Sequence, residues 1–508
     1  MPILRLIGLT ACLLAVPLSS VARDGVLDIV APWEIGGTDP SQAGYVFTRL
    51  EVAETLVDVD AEARPVPGLA SAWEVSEDQL TWRFSLRDDV RFHDGSMLTA
   101  QVAAHALETA RDKPGILQRV PLAGIEAVDD RTLVLRLTEP FSPLLAALAH
   151  TSAQILAMAA FEDDGRVSRV IGTGPYRIDI FQPPQRLTAV YHEDYWGEAP
   201  AIREIAYLAA GRGETRALLA ESGDADIVFT LDPASQARLA RNPALSVHSV
   251  PIPRTVLLKL NAAHPALNDP RARQALSLAI DRAGIATGLL REPEAVADQL
   301  LPPGLGAWHL DGLPTPARDL QRAAALLGEL GWEAGPAGML FRDGEPLRLT
   351  LRTFPDRPEL PLIATALQDQ WRGLGVDLQL AIGNSSEIPA GHQDGSLELA
   401  LLARNFALIP NPLGTLLQDY GPGGGDWGAM NWSDARLNEI LQELRAGADP
   451  ARASALRQEA AAILHEALPV IPITWYQQTA AVSRALENFS IDPFERSYRL
   501  SSMDWAAP

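Results

Sequence analysis

The stretch from Gly68 to Arg111, GLASAWEVSEDQLTWRFSLRDDVRFHDGSMLTAQVAAHALETAR, constrains the fold of this chain more than any other. Leu80, Trp82, Phe84 and Leu86 alternate with Thr81, Arg83, Ser85 and Arg87. Successive strand side chains point to opposite faces, so this period of two predicts a strand with one buried face. Val90 and Phe92 predict a second short apolar strand, and His93-Asp94-Gly95-Ser96 supplies turn residues. Thr99 can then cap a helix in which Val102, Ala103, Ala106 and Leu107 recur at helical spacing. From its residues alone the stretch is a small α+β module.

Its wording says more. From Leu69 to Gly95 it follows LA-x-x-W-E-V-S-x-D-x-x-T-W-x-F-x-L-R-D-x-V-x-F-H-D-G almost without a break, and so resembles the family 5 extracytoplasmic solute-binding proteins of peptide and nickel ABC importers. Arg49 to Val57 is similar to that family's Y-E-x-L segment, with Ala53 where an aromatic is usual. Ile171 to Tyr176 resembles its G-T-G-P-Y/W marker, and Tyr195 to Ile202 its Y-W-G-x-x-P-x-I. Asp269 to Arg282 and Asp319 to Trp332 resemble its R-x-A-L-x-x-A-I-D-R and A-x-x-L-L-x-x-x-G-W helices. The resemblance runs from Val26 to Phe489, with the overall wording nearest the nickel-binding branch.

It implies an α/β, two-lobed periplasmic-binding-protein fold, class II-like, with an extra α+β domain inserted in the first lobe. Carried onto this chain, lobe I takes residues 26–47, 172–262 and 478–508, the inserted domain 48–171, and lobe II 263–477. The glycines of Gly172-Thr173-Gly174 do not read as a phosphate loop, because no Gly-Lys-Ser/Thr follows and Pro175 lacks an N–H. They read instead as a turn that needs positive φ. Elsewhere Gly124–Leu137 reads as two strands joined at Asp129-Asp130, residues 140–156 as a helix in their middle portion, and Val470–Tyr476 as a buried strand. Ser433 and Asp449 are expected to cap two helices.

The first residues read as an export signal: Arg5, an apolar core from Leu6 to Pro17, and small residues at Ser20-Val21-Ala22. Cleavage there makes residues 1–22 a signal peptide and the periplasm the expected address. Lipid anchoring at Cys12, the chain's one cysteine, is the less favoured reading; after cleavage no thiolate chemistry remains. A formal charge of −22 argues against nucleic acid or an anionic membrane as partner.

No Gly-x-Ser-x-Gly or His-Glu-x-x-His pattern is present, and the adjacent acids Asp88-Asp89, Asp129-Asp130 and Asp163-Asp164 read as solvated turns. The chain is therefore expected not to be an enzyme and to hold no cofactor, although a metal–chelate is possible as cargo. What the resemblance implies instead is a ligand closed between two lobes and handed to the permease subunits of an ABC importer, by a monomer. The ligand is a small molecule, a peptide or a nickel-type chelate. Peptide binders of the family place an aspartate where this chain has Leu408, and nickel binders use positions that here hold Phe406, Pro410 and Gly424, so neither known anchor set is kept. Arg357, in Phe354-Pro355-Asp356-Arg357-Pro358, falls where dipeptide binders keep an arginine for the ligand carboxylate. Arg404 is a second candidate for that carboxylate or a bridge between lobes, with Asn405 and Asn411 in the same stretch. Trp33, Phe406, Trp427 and Trp432 are the aromatic candidates, each also readable as packing. The loop Gly421–Gly428 could cover the cleft mouth. Two other readings stand beside this one: a secreted hydrolase on a two-lobed scaffold, and a module that binds partner proteins.

Overall fold

Two long antiparallel strands, Leu245–Leu260 and Val470–Ser483, run through the whole molecule. The computed structural model describes residues 25–507 except 114, 315, 356 and 408; the signal segment, Cys12 and Leu408 lie outside the described residues. Residues 245–251 pair with 477–483, and residues 255–259 with 470–475, with the register broken between Pro251 and Thr255. Pro251 and Pro253 carry no N–H for a ladder, which accounts for the break. On one side of it the pair continues into Leu399–Asn405, Arg348–Thr353 and Asp377–Ile382; on the other into Ile227–Phe229, Val26–Ala31, Glu204–Ala209, Arg186–Tyr191 and Tyr176–Gln182. One ten-stranded mixed sheet therefore serves two halves, each with its own core: one built around Trp371, Leu399 and Leu441, the other around Leu27, Phe47 and Phe84.

The Gly68–Arg111 stretch folds as its pattern requires. Strand Thr81–Leu86 buries Trp82, Phe84 and Leu86 and exposes Arg83 and Ser85. It sits in a four-stranded antiparallel sheet with Ala70–Val75, Thr132–Leu137 and Leu122–Ala127, the last two being the pair joined at Asp129-Asp130. Thr99 Oγ1 accepts from Val102 N and caps helix Ala100–Arg111. This region does not have a core of its own: its apolar side chains are continuous with those of the neighbouring half.

Several local readings change. Val90 and Phe92 are buried but form only an isolated bridge, Arg91 to Met97, because the turn follows at once. The helix read within 140–156 is the five-residue Leu144–Leu148. Asp434, not Ser433, caps Ala435–Ala446, its carboxylate accepting from Leu437 N at 2.8 Å. Gly172 and Gly174 do not have positive φ; they are glycines because a Cβ would sit 2.1 Å from the Val52 and Glu51 carbonyl oxygens respectively. Backbone presses on backbone there, so the constraint is space and not conformation.

Candidate functional site

Where the crossing strands change partners, a group of buried charges sits between the two halves. Strand Leu245–Leu260 brings Arg254 there directly after its prolines, and its neighbour Leu399–Asn405 brings Asn405 opposite in register. Helix Pro40–Arg49 ends on Arg49, and the chain beyond Ser483 returns to place Glu495 at the centre. Glu495 accepts from Arg254 Nη2 at 2.7 Å, from Asn405 Nδ2 at 3.1 Å and from Arg49 Nη2 at 3.4 Å. Arg49 Nε also donates to the Glu495 carbonyl oxygen at 2.8 Å. Burial pushes the Glu495 carboxyl up, but Arg254, Arg49 and Arg357 outweigh it and hold the group below its ordinary range.

Aromatic rings wall this group. The Arg49 guanidinium lies 4.1 Å from the centroid of the Trp33 ring, and the Phe229 and Tyr498 rings stack at 4.4 Å. Tyr476 lies under two cations, Arg254 at 4.9 Å and Arg357 at 5.2 Å. Glu359 stands beyond Arg357 with its carboxyl raised by burial. Two cavities open along this row. One, of about 270 Å³ with its mouth, is lined by residues that include Trp33, Arg49, Phe229, Gln478, Asp492, Glu495 and Tyr498. The other, of about 540 Å³ with its mouth, is lined by residues that include Thr230, Leu290, Glu359, Thr474 and Tyr476. Buried polar atoms left without a protein partner gather here: Arg49 Nη1, Arg254 Nε, Glu359 Oε1, Thr474 Oγ1 and Gln478 Oε1. Buried polar groups are nearly always paired, so a concentration of unpaired ones marks a place built for something else to complete.

Of the sequence candidates, Trp33, Arg357 and Asn405 fall in this group, and the other five do not. Arg404 is engaged within one half, its fork closed on Asp419 at 2.5 and 3.0 Å, and Asp419 is fully buried. Its ion pair therefore does not bridge the halves. Phe406 has no exposed surface and belongs to the core of its half. Asn411 caps helix Pro412–Tyr420 through Leu413 N. Trp427 and Trp432 lie against the same core. The loop Gly421–Gly428 is pinned from beneath: Lys259, fully buried, donates to the Gly425 and Gly428 carbonyl oxygens at 2.8 and 2.6 Å. Burial lowers that ammonium to about 7.

Arg49, Arg254, Tyr476, Gln478, Glu495 and Tyr498 went unnoticed in the sequence. Arg49 lay inside a quoted motif, and Arg254 follows two prolines that mark the register break; these were the available signals. Glu495 had none. Among the described residues no group of three or more His, Asp or Glu side chains could hold a metal ion.

A model of the bacterial extracellular solute-binding proteins, family 5, matches residues 64–427. The chain belongs to that family of binding proteins. It is 29% identical to the nickel-binding periplasmic protein of Escherichia coli K12 over 481 residues, 91% of each chain. It is 23% identical to the dipeptide-binding protein of the same organism over 463 residues, 85% of each. The solved structure of NikA from Brucella suis in complex with Fe(III)-EDTA superposes with a TM-score of 0.86 at 23% identity, covering 94% of this chain and 99% of that one. The two-lobed α/β fold and the place near the nickel branch follow from these matches together.

Proposed function

We propose that this protein is the periplasmic binding component of an ABC importer, and that it closes its two lobes on a small carboxylate-bearing solute. The observation that carries the reading is the pair of buried guanidiniums, Arg49 and Arg254, each with an unpaired N–H at the junction of the lobes. A guanidinium buried with a spare donor is stabilised by an anion that completes it, and a carboxylate matches its fork. The lobes divide along 26–47, 172–262 and 478–508 against 263–477, with 48–171 inserted. The register break between Pro251 and Thr255 is the natural hinge, since there the ladder is already interrupted; it moves the end of lobe I on this strand from 262 back to Pro251, because Arg254–Leu260 pair with the lobe II strand Leu399–Asn405.

Three kinds of cargo fit: a peptide, a peptide-like acid, or a metal carried inside an organic chelator whose carboxylates meet the arginines. Phe406 and Gly424 stand where the nickel binders carry anchors, and Phe406 is fully buried, so a metal enters only with its chelator. The protein acts without chemistry, as a monomer, with residues 1–22 removed on export and the importer's permease as its partner. Isothermal titration against a dipeptide, an N-acetyl amino acid and a nickel–histidine complex tests this; micromolar binding of one member is expected. Silence across all three overturns the cargo class, and a bound solute recovered chemically altered supports the hydrolase instead.

A further inference from the structure

We propose that the inserted domain carries a latch: its turn at 139–142 grips the C-terminal end of helix Ala435–Ala446 and keeps the lobes together before any solute is bound. This rests on the hinge in the reading above and is independent of the cargo. The two partners belong to different halves. Phe141 and Leu144 lie in the core that holds Phe84, whereas Leu441 and Leu444 lie in the core that holds Trp371. Neither segment is part of the long strands that join the halves, so chain connectivity does not impose the contact. Its chemistry is that of a helix end, whose last carbonyls have no partner within the helix. Ser142 Oγ donates to the Leu444 carbonyl oxygen at 2.7 Å, and Ser142 N to that of Arg445 at 2.9 Å. The Arg445 guanidinium pairs with the Glu139 carboxylate and lies 5.8 Å from the centroid of the Phe141 ring. Gln79 presses on the next residue: a Cβ at Gly447 would stand 2.6 Å from its Oε1. A second polar contact across the halves joins Arg119 to Gln418 Oε1, beside the Arg404–Asp419 pair.

The helix is complete without this partner. Gly447 ends it with φ of 94°, and the Gly447 N–H returns to the Leu444 carbonyl oxygen at 3.2 Å. Ser142 is therefore an addition to a finished helix end, not a cap on which its folding depends. The gripping groups also stand at the surface: Ser142 is exposed, and the Glu139 and Arg445 side chains keep 51% and 27% of their exposure. Water can replace each of these contacts at small cost, so each adds modestly to the closed state. A set of such contacts biases an open–closed equilibrium without abolishing it. An apolar seam at the same place would weld the halves, and the cavity walls at the hinge do not reach this rim. The inserted domain thus acts in closure by holding the opposite lobe.

Spin labels at Glu108→Cys, on helix Ala100–Arg111, and Glu466→Cys, on helix Pro450–Ala467, report the separation of the halves in a Cys12→Ser background. Double electron–electron resonance on this labelled parent, dialysed free of solute, should show mostly the shorter of two separations. Glu139→Gln combined with Ser142→Ala should raise the ratio of long to short by about tenfold. Glu126→Gln removes an ion pair of similar exposure inside the inserted domain, to Arg136, and should leave the ratio unchanged. Glu139→Arg should open the lobes by setting like charges face to face, and adding Arg445→Glu should restore part of the closed population. That rescue is not expected of a merely structural role. An unchanged ratio in the double variant, equal opening by Glu126→Gln, absence of rescue, or a parent that is mostly open overturns the latch. Should the double variant not fold, Ser142→Ala alone decides, with an expected shift of about threefold. A long separation populated equally in every variant removes the latch and leaves the hinge reading standing; the short separation alone in every variant removes both.

Discussion

Two junctions in this molecule are both tightly buried, yet they are finished differently. At the first, the hallmark turn meets the Gly172–Gly174 segment: His93 N donates to the Gly172 carbonyl oxygen at 2.9 Å, and the His93 ring reaches that of Gly174 at 3.0 Å. The two glycines lie directly on the backbone of Glu51 and Val52. What remains unpaired there is neutral, such as His93 Nδ1 and Trp82 Nε1. At the second, where the long strands cross, the unpaired atoms include one nitrogen of each of two guanidiniums and one carboxylate oxygen. An incomplete buried charge costs far more than an incomplete buried neutral group, so it persists where a ligand completes it. The family resemblance is written in the first junction, and the proposed cargo site lies at the second.

That contrast can be broken by substitution. Phe84→Ala, in the first region, should cost about 3–5 kcal/mol of stability, since Phe84 has no exposed surface and its removal leaves a cavity. Binding by the protein that remains folded should be unchanged, which chemical denaturation and titration on one sample would show. Arg404→Leu tests an arginine that sequence alone could not separate from Arg357. It strands the fully buried Asp419 and should destabilise by about 3–5 kcal/mol with cargo affinity retained. Arg357→Ala should do the opposite: affinity lower by about tenfold or more, from the loss of a charge-assisted contact, with a nearly unchanged melting temperature. Equal behaviour of the two arginine variants would erase the distinction between the junctions.

The smallest effect concerns pH. Burial holds His93 neutral, lowering it from 6.5 to about 4. As pH falls below about 6.5 the unfolded chain takes up this proton first, so stability is fully present above that value and declines toward pH 4. His93→Gln should flatten that part of the stability profile. Glu54, raised by burial to about 7, has the opposite slope between 4.5 and 7, so His93→Gln should be compared in a Glu54→Gln background.

Legibility followed the same divide. The strand Thr81–Leu86 and the caps at Thr99 and Asp449 were readable because each depends on neighbours a few residues away. The crossing strands were only half readable: Val470–Tyr476 shows as a strand, but its continuation to Ser483 and its pairing with Leu245–Leu260 are tertiary facts. Arg357 and Asn405 were candidates from the positions the resemblance implies and Trp33 as an aromatic; the fold sets all three near Glu495. Arg404 and Phe406 misled because adjacent strand residues face opposite ways, so a named stretch divides between cleft and core. Glu495 was beyond reach, since nothing local marks a lone glutamate that arrives from the far end of the chain to meet Arg49 and Arg254.

Native mass spectrometry of the protein purified from its own host, without refolding, tests the central claim most directly. The account expects one small solute per chain, intact, bearing a carboxylate, and lost on collisional activation or in the Arg254→Met variant. A neutral sugar in its place, or a solute that survives loss of Arg254 undiminished, would contradict it.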